Sequence, residues 1–347
     1  MVRLDNAGDV LVAGPAVRAA AAGSDRVTVL AGPQGEAAAC LLPGVDEVLT
    51  WHCPWISAAP PAVDRDDVDR LVGRLAALGA DRALVLTSFH QSPLPTALLL
   101  RLAGVPWVGA VSEDYPGALL DLRHRVDDDL PEPERALSLA LAAGFSLPAG
   151  DDGGLAVRRP LPDVTRLLPR GPFVVLHPGT SVPARAWPAS RFGEAARLLT
   201  ERGHRVVVTG APDEADLTAS VCAGTGAVDL GGRTSLAELA AVLDAADVVV
   251  VGNTGPAHLA AAVRTPVVSL FAPTVPAVRW QPYGVPTVLL GDQQAPCRGT
   301  RATTCPVEGH PCLAAVRAPD VVRAVEGFTA PTRRTAAVVP LQEGARS

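Results

Sequence analysis

In residues 248–263, VVVVGNTGPAHLAAAV, a run of valines stops at Gly252 and an alanine-rich helix opens around Thr254-Gly255-Pro256. A strand that ends on glycine and feeds a helix turns that helix's free N–H groups and positive dipole end outward, which suits an anion. His258, in the first turn, adds a further donor. Two more strand exits have the same character. LHPGTSVPARAWP (176–188) brings Thr180, Arg185 and an aromatic ring, and VTGAPDE (208–214) brings Gly210 and then Glu214. Backbone donors, a guanidinium with a hydroxyl, and a carboxylate suited to sugar hydroxyls together describe a pocket for a nucleoside diphosphate. Near the start, RLDNAGDVLVAGPAV (3–17) places Asp9 between a strand and an apolar helix. Its ordinary reading is a helix N-cap. Its chemical reading is a general base aimed at that pocket.

These loops need rigid elements behind them, and the alternation of the chain supplies them. Strands are predicted at 26–30, 47–50, 83–87 and 106–110, then at 173–177, 205–210, 247–252 and 266–271. Helical segments at 67–80, 95–104, 188–203 and 235–246 lie between them. The pattern predicts an α/β chain of two Rossmann-like domains with parallel sheets. The expected boundaries are 1–148 for the first domain, 149–172 for a Gly/Pro-rich linker, 173–328 for the second domain, and a disordered tail at 329–347. Ligands in such sheets sit beyond the carboxyl ends of the strands, so the cleft between the halves is the expected site. Only about four residues precede the first turn, which leaves strand 1 short for a central strand. Either it is stunted or the true start lies upstream of Met1, and the second reading is preferred.

Composition narrows the partners. The 347 residues are 48% apolar and 19% charged, with a net charge of −6, which argues against nucleic acid or an anionic membrane as the main partner. All 30 basic residues are arginine, so any task that lysine could perform falls to a planar, permanently charged guanidinium. No run is long and apolar enough for a transmembrane segment, and no leader is recognisable, so a cytoplasmic protein is expected. Six cysteines suggest no disulfide scaffold. Cys297, Cys305, Cys312 and His310 lack the paired spacing of a common zinc site and read as loop residues that pack. The Asp64–Asp66 pair, which has the D-x-D form, opens a predicted helix and reads as capping rather than as a metal site.

Taken in order, RLDNAGDVL, HPGTSVPARAWP, GAPDE and GNTGPAHLAAAVRTPVVSLFAPT resemble glycosyltransferase family 9, the ADP-heptose:lipopolysaccharide heptosyltransferase family, from Val2 to Phe328. The resemblance implies a GT-B fold and inverting, metal-independent transfer of a sugar, a heptose or a relative, from a nucleotide diphosphate donor. The acceptor would be a hydroxyl of a glycan or small molecule. It implies no cofactor. Asp9 matches the family's catalytic base, and Arg185 stands where a lysine usually meets the donor phosphates. Thr180 matches the hydroxyl of that loop, Glu214 the carboxylate for the donor ribose, and Thr254, Gly255 and His258 the diphosphate-binding helix start. Asn253 departs from the usual Asp-Thr-Gly, which bears on any contact with the donor sugar. Arg123, His124 and Arg125 are the acceptor candidates, against an ordinary reading as a solvated helix face. The rival readings are an oxidoreductase, disfavoured because no G-x-G-x-x-G follows a strand, a GT-B enzyme such as a nucleotide-sugar epimerase, and a non-catalytic nucleotide-sugar binder.

Overall fold

Valine-rich runs buried on both faces form two parallel sheets in the computed structural model, which describes residues 1–57, 59–88, 90–126 and 129–329. Residues 330–347, nearly all of the expected tail, lie outside the described residues. The first sheet holds β1 (Val2–Arg3), β2 (Thr28–Ala31), β3 (Glu47–Thr50), β4 (Arg82–Val85), β5 (Trp107–Val111) and β6 (Leu122–His124). The second holds β7 (Phe173–His177), β8 (Arg205–Gly210), β9 (Val228–Gly231), β10 (Val248–Gly252), β11 (Val267–Leu270) and β12 (Thr287–Leu290). Their orders are β3-β2-β1-β4-β5-β6 and β12-β11-β10-β7-β8-β9. Each order reverses once, between β1 and β4 and between β7 and β10, and each reversal opens a crevice at the strand ends. Asp9 follows β1, and the 253–258 loop follows β10, so both switch points carry candidate residues.

Strand 1 is short, as the sequence suggests, yet both its residues pair with β2 and Val2 also pairs with β4. Three strands escape the sequence reading: β6, β9 and β12. Each is three or four residues long and mostly half-buried, so its apolar pattern is weak. The helix at Arg65–Ala77 begins on Asp64, whose carboxylate accepts from the Asp67 N–H at 2.8 Å. Capping is therefore what the D-x-D pair does.

The halves are joined by apolar packing and by arginine clamps. The helices Ala7–Val12 and Gly255–Ala262 meet so closely that a Cβ on Gly8 would lie 3.2 Å from the Gly255 Cα. No helix or strand lies between Ala142 and Phe173, and that segment is held from both sides. Arg18 grips both Asp151 oxygens at 2.6 and 2.8 Å, and Arg264 reaches Asp152 at 2.8 Å. Tyr283 donates directly across to Glu134 at 3.0 Å.

Gly32, just past β2, admits no side chain, because a Cβ would sit 2.4 Å from the Leu4 carbonyl oxygen. That oxygen is backbone at the exit of β1 and cannot yield cheaply. Gly32→Ala is expected to lower stability by about 1–3 kcal/mol. Urea unfolding measures it, and an unchanged midpoint would mean the β1 exit is not rigidly held.

Candidate active site

A cleft of about 460 Å³ lies between the two switch points, lined by both halves of the chain. Its first wall comes from the loops after β1, β2, β3 and β4. Its second comes from the segments after β7, β10 and β11 and from Arg301, in the loop after β12.

On the first wall Asp9 is the third residue of its helix, after Asn6 at the N-cap, and its carboxylate makes no capping bond. It is held instead from below. Arg3, in β1, is only 4% exposed and donates from Nη2 to Asp9 Oδ1 at 3.1 Å and to Ser88 Oγ at 3.1 Å. Ser88 Oγ lies 3.5 Å from the same Asp9 oxygen. Arg3 Nε faces Asp5 at 3.2 Å. Burial opposes the charge of Arg3, but Asp5, Asp9 and Glu132 outweigh it and raise its pKa above the ordinary value. Asp5 is pushed up by burial, with Arg3 pulling the other way. Gln91 completes the floor, donating to Asp5 at 2.6 Å and accepting from the Ser88 N–H at 2.9 Å.

On the second wall Thr254 is the N-cap, with Gly255 and Pro256 as the first two helical residues. His258 is 4% exposed, and burial, aided by the nearby Arg185 charge, lowers its pKa to about 4. It is neutral at pH 7. Arg185 ends a short 3-10 turn at Pro183–Arg185; burial and the Arg301 charge lower its pKa, while Asp9 raises it. A guanidinium remains charged regardless. Three polar atoms at this end are buried without a hydrogen-bond partner: Arg185 Nε, Asn253 Nδ2 and His258 Nδ1. Each such atom costs about 1–3 kcal/mol, and native proteins keep few of them without a reason.

Thr180 and Glu214 stand beside the cleft rather than on its described lining. Thr180 Oγ1 accepts from the Val182 N–H at 3.3 Å and shapes the loop. The Glu214 carboxylate accepts from the Ala211 N–H at 2.8 Å and lies over Gly179, where a Cβ would come within 2.1 Å of it. It is 3.9 Å from His177, which burial lowers to about 4, so the contact is not an ion pair at neutral pH. Arg123, His124 and Arg125 are not brought to the cleft. They lie on or next to edge strand β6, not on a helix. Arg123 donates to the Ser112 and Glu113 carbonyls, His124 shares a 3.0 Å hydrogen bond with Ser138, and Arg125 is exposed.

Five lining residues, Ser88, Gln34, His52, His90 and Arg301, lie outside the sequence reading, as does Arg3 beneath them. Arg3 left one legible sign, a charge inside a strand. Arg301 sits in the cysteine-bearing loop with a left-handed φ of 57°. That loop braces Arg185: the Ala184 N–H donates to the Thr303 carbonyl at 2.9 Å, and His310 Nε2 lies 3.1 Å from the Ala184 carbonyl. Because a carbonyl only accepts, His310 must carry its proton on Nε2. Cys297 and Cys312 are buried, and burial beside Cys297 pushes the Cys312 thiol up to about 12, so it packs as a neutral group. Among the described residues no group of three or more His, Cys, Asp or Glu side chains is arranged to hold a metal ion, and no helix is long and apolar enough to cross a membrane.

The profile of glycosyltransferase family 9 (heptosyltransferase) matches residues 68–310, more than half of the chain. Lipopolysaccharide heptosyltransferase 3 of Escherichia coli is 31% identical over 162 residues, 44% of this chain and 46% of that protein. The match thus spans under half the length of that relative. Among solved structures, a family 9 glycosyl transferase from Veillonella parvula superposes with a TM-score of 0.77 at 16% identity, covering 94% of this chain and 95% of that one. The E. coli ADP-heptose lipopolysaccharide heptosyltransferase II gives 0.72 at 19%, covering 94% and 97%. At such identities the likeness shows the fold, which is GT-B.

The two buried histidines make stability depend on pH with a definite sign. Both have folded pKa values near 4, below the ordinary 6.5, so the unfolded chain takes up their protons first. Their contribution is complete above about pH 6.5 and falls as pH drops toward about 4, by on the order of 3 kcal/mol each. His177→Gln should remove about half of that histidine-dependent slope in urea unfolding between those limits. An identical slope in the variant would contradict a neutral, buried His177.

Proposed function

The chain belongs to glycosyltransferase family 9, and we propose that it transfers a heptose or related sugar from an ADP-linked donor to a hydroxyl of a glycan. The observation that carries this is the pairing across one cleft of a carboxylate fixed by Arg3 and Ser88 with Arg185, Arg301 and a helix start. The names of its relatives support the donor class: both heptose and ADP-heptose appear in them.

In the proposed reaction the acceptor hydroxyl attacks the anomeric carbon from the side opposite the diphosphate, which inverts that centre. Asp9 takes the hydroxyl proton as the new C–O bond forms. Its Oδ1 is occupied by Arg3 and Ser88, which leaves Oδ2 for the acceptor. The bond from the anomeric carbon to the diphosphate breaks, and the nucleoside diphosphate leaves with the electron pair. Arg185, Arg301 and the N–H groups beginning near Thr254 neutralise that developing charge. Asn253 and His258 would complete the donor pocket through groups that the fold leaves without partners. Thr180 would shape the phosphate loop, and Glu214 would reach the donor ribose after a small shift from its backbone bond.

The division into an acceptor domain at 1–148, a linker at 149–172 and a donor domain at 173–328 forms part of the proposal, as does a cytoplasmic setting in which six thiols stay reduced. A non-catalytic nucleotide-sugar binder is the second reading, favoured by Asn253, which departs from the Asp-Thr-Gly that the family resemblance implies.

Asp9→Asn should cut sugar transfer by about 10²–10⁴ while calorimetry still registers ADP binding. Arg301→Ala should weaken ADP binding by about tenfold or more, the loss of one charge-assisted contact. Transfer that survives intact in Asp9→Asn would rule out Asp9 as the base. Binding of NAD in preference to ADP would overturn the transferase reading.

A further inference from the structure

Behind the first wall of the cleft lies a buried carboxylate, Glu132. It opens the helix Glu132–Ala142, yet it is only 2% exposed. An acid in the first turn of a helix ordinarily faces solvent and answers the helix dipole. Glu134, in the same turn, is exposed and does so. Glu132 does something else. Its Oε1 is buried without a hydrogen-bond partner, and its Oε2 lies 3.6 Å from Arg135 Nη1, an ion pair too long for a hydrogen bond. Burial raises its pKa; Arg3, Arg135 and Arg279 pull it back, while Asp9 opposes them. Three guanidiniums thus favour its ionised form. A buried carboxylate oxygen left without a hydrogen bond is costly, and native proteins keep few such atoms without a reason.

Its partners supply the reason. Arg3, whose charge Glu132 supports together with Asp5 and Asp9, donates to Asp9 Oδ1 and to Ser88 Oγ. Arg135 Nη1 donates to the Thr87 carbonyl at 2.7 Å. Thr87 directly precedes Ser88, whose Oγ lies 3.5 Å from Asp9 Oδ1 and whose N–H is bonded to Gln91. Two arms therefore run from one carboxylate to the back of Asp9. One passes through a guanidinium in β1, the other through the exit of β4. Arg279, the third cation acting on Glu132, belongs to the second half, in the short helix Ala277–Trp280 whose Trp280 lines the cleft. Glu132 itself is not among the residues that line it.

Resting on the transferase reading above, we propose that Glu132 is a positioning residue for the reaction. By holding Arg3 and Arg135 it keeps Asp9 Oδ1 turned to the protein and Oδ2 open to the acceptor hydroxyl. It takes no proton and meets no substrate. Without its charge Arg3 is left with two carboxylates in place of three, and Arg135 loses the acid that steadies it beneath Thr87. Asp9 keeps its basic group but loses its fixed aim. The chemical step slows, while Arg185, Arg301 and the helix start on the other wall still bind the nucleotide.

The test measures ADP release by the full chain from ADP-heptose and a mixed pool of glycan acceptors, a heptose-free deacylated lipopolysaccharide core among them. Glu132→Gln, equal in size and uncharged, should lower kcat by about 10–100-fold. KM for ADP-heptose, and ADP binding by calorimetry, should change by less than about twofold. Glu132→Asp, which keeps the charge, should recover most of the lost rate. In an Asp9→Asn background Glu132→Gln should cost nothing further, because its effect passes through Asp9. A merely structural role would add its loss there as well. An unchanged kcat in Glu132→Gln, a full further loss in the Asp9→Asn background, or weakened ADP binding overturns the proposal. Should Glu132→Gln fail to fold, the same cycle is run with Glu132→Asp, whose smaller loss must also vanish beside Asp9→Asn. No ADP release by the unaltered chain, or no ADP binding, would instead sink the transferase reading, and this inference with it.

Discussion

A buried guanidinium in a two-residue strand sets the terms for the rest of the molecule. Arg3 is 4% exposed, and taking such a charge out of water costs several kcal/mol unless partners answer it. Asp5 and Asp9 do so directly, at 3.2 and 3.1 Å, the first in the loop that β1 feeds and the second in the opening turn of the helix that follows. The loop is therefore tied to the strand by charge rather than by length of pairing, which β1 does not have. Ser88 and Gln91 arrive from β4, the neighbour across the switch point, and close the network. The tight approach of Gly32 to the Leu4 carbonyl holds the same exit from the β2 side. The position of Asp9 is thus a product of three strands meeting.

The second half solves the opposite problem. It must present positive charge at the cleft. Arg185 and Arg301 oppose each other electrostatically, while Asp9 acts favourably on Arg185 from across the cleft. The chain holds Arg185 through its neighbour: both backbone polar groups of Ala184 are bonded to the loop that carries Arg301. The buried Cys297 and Cys312 anchor that loop in the core beneath β11 and β12. A lysine could follow a phosphate with its flexible stem. A guanidinium offers a rigid fork and gains most when its backbone is fixed, which gives the loop's bracing a purpose in a chain without lysine.

How far the sequence discloses this depends on how local each feature is. The long buried strands, the helix start at Thr254 and the three loop exits of the second half are contiguous in the chain, so a run of valines followed by Gly, Thr and Pro discloses them. β6, β9 and β12 are too short and too exposed for a period to emerge. The first wall is worse placed for reading, because Gln34, His52, Ser57 and Gln91 come from three separate loops with no common spacing. Arg123, His124 and Arg125 illustrate the reverse error. Three basic residues in a row look like a ligand patch, yet the strand directs them to backbone carbonyls, to Ser138 and to the exposed surface.

Charge sorting between the walls follows from those two solutions rather than from overall composition. A net charge of −6 says nothing about a cleft whose halves carry opposite signs. The first wall is acidic because the buried Arg3 is answered by both Asp5 and Asp9. The second carries Arg185 and Arg301, which suits the departing diphosphate of the proposed reaction. Neither half can take over the other's part: an arginine on the first wall would pair with Asp9, and an acid beside Arg185 would compete with the phosphates. Separate domains keep the two sets apart until a ligand lies between them, and the close packing of Gly8 on Gly255 limits how far they can part.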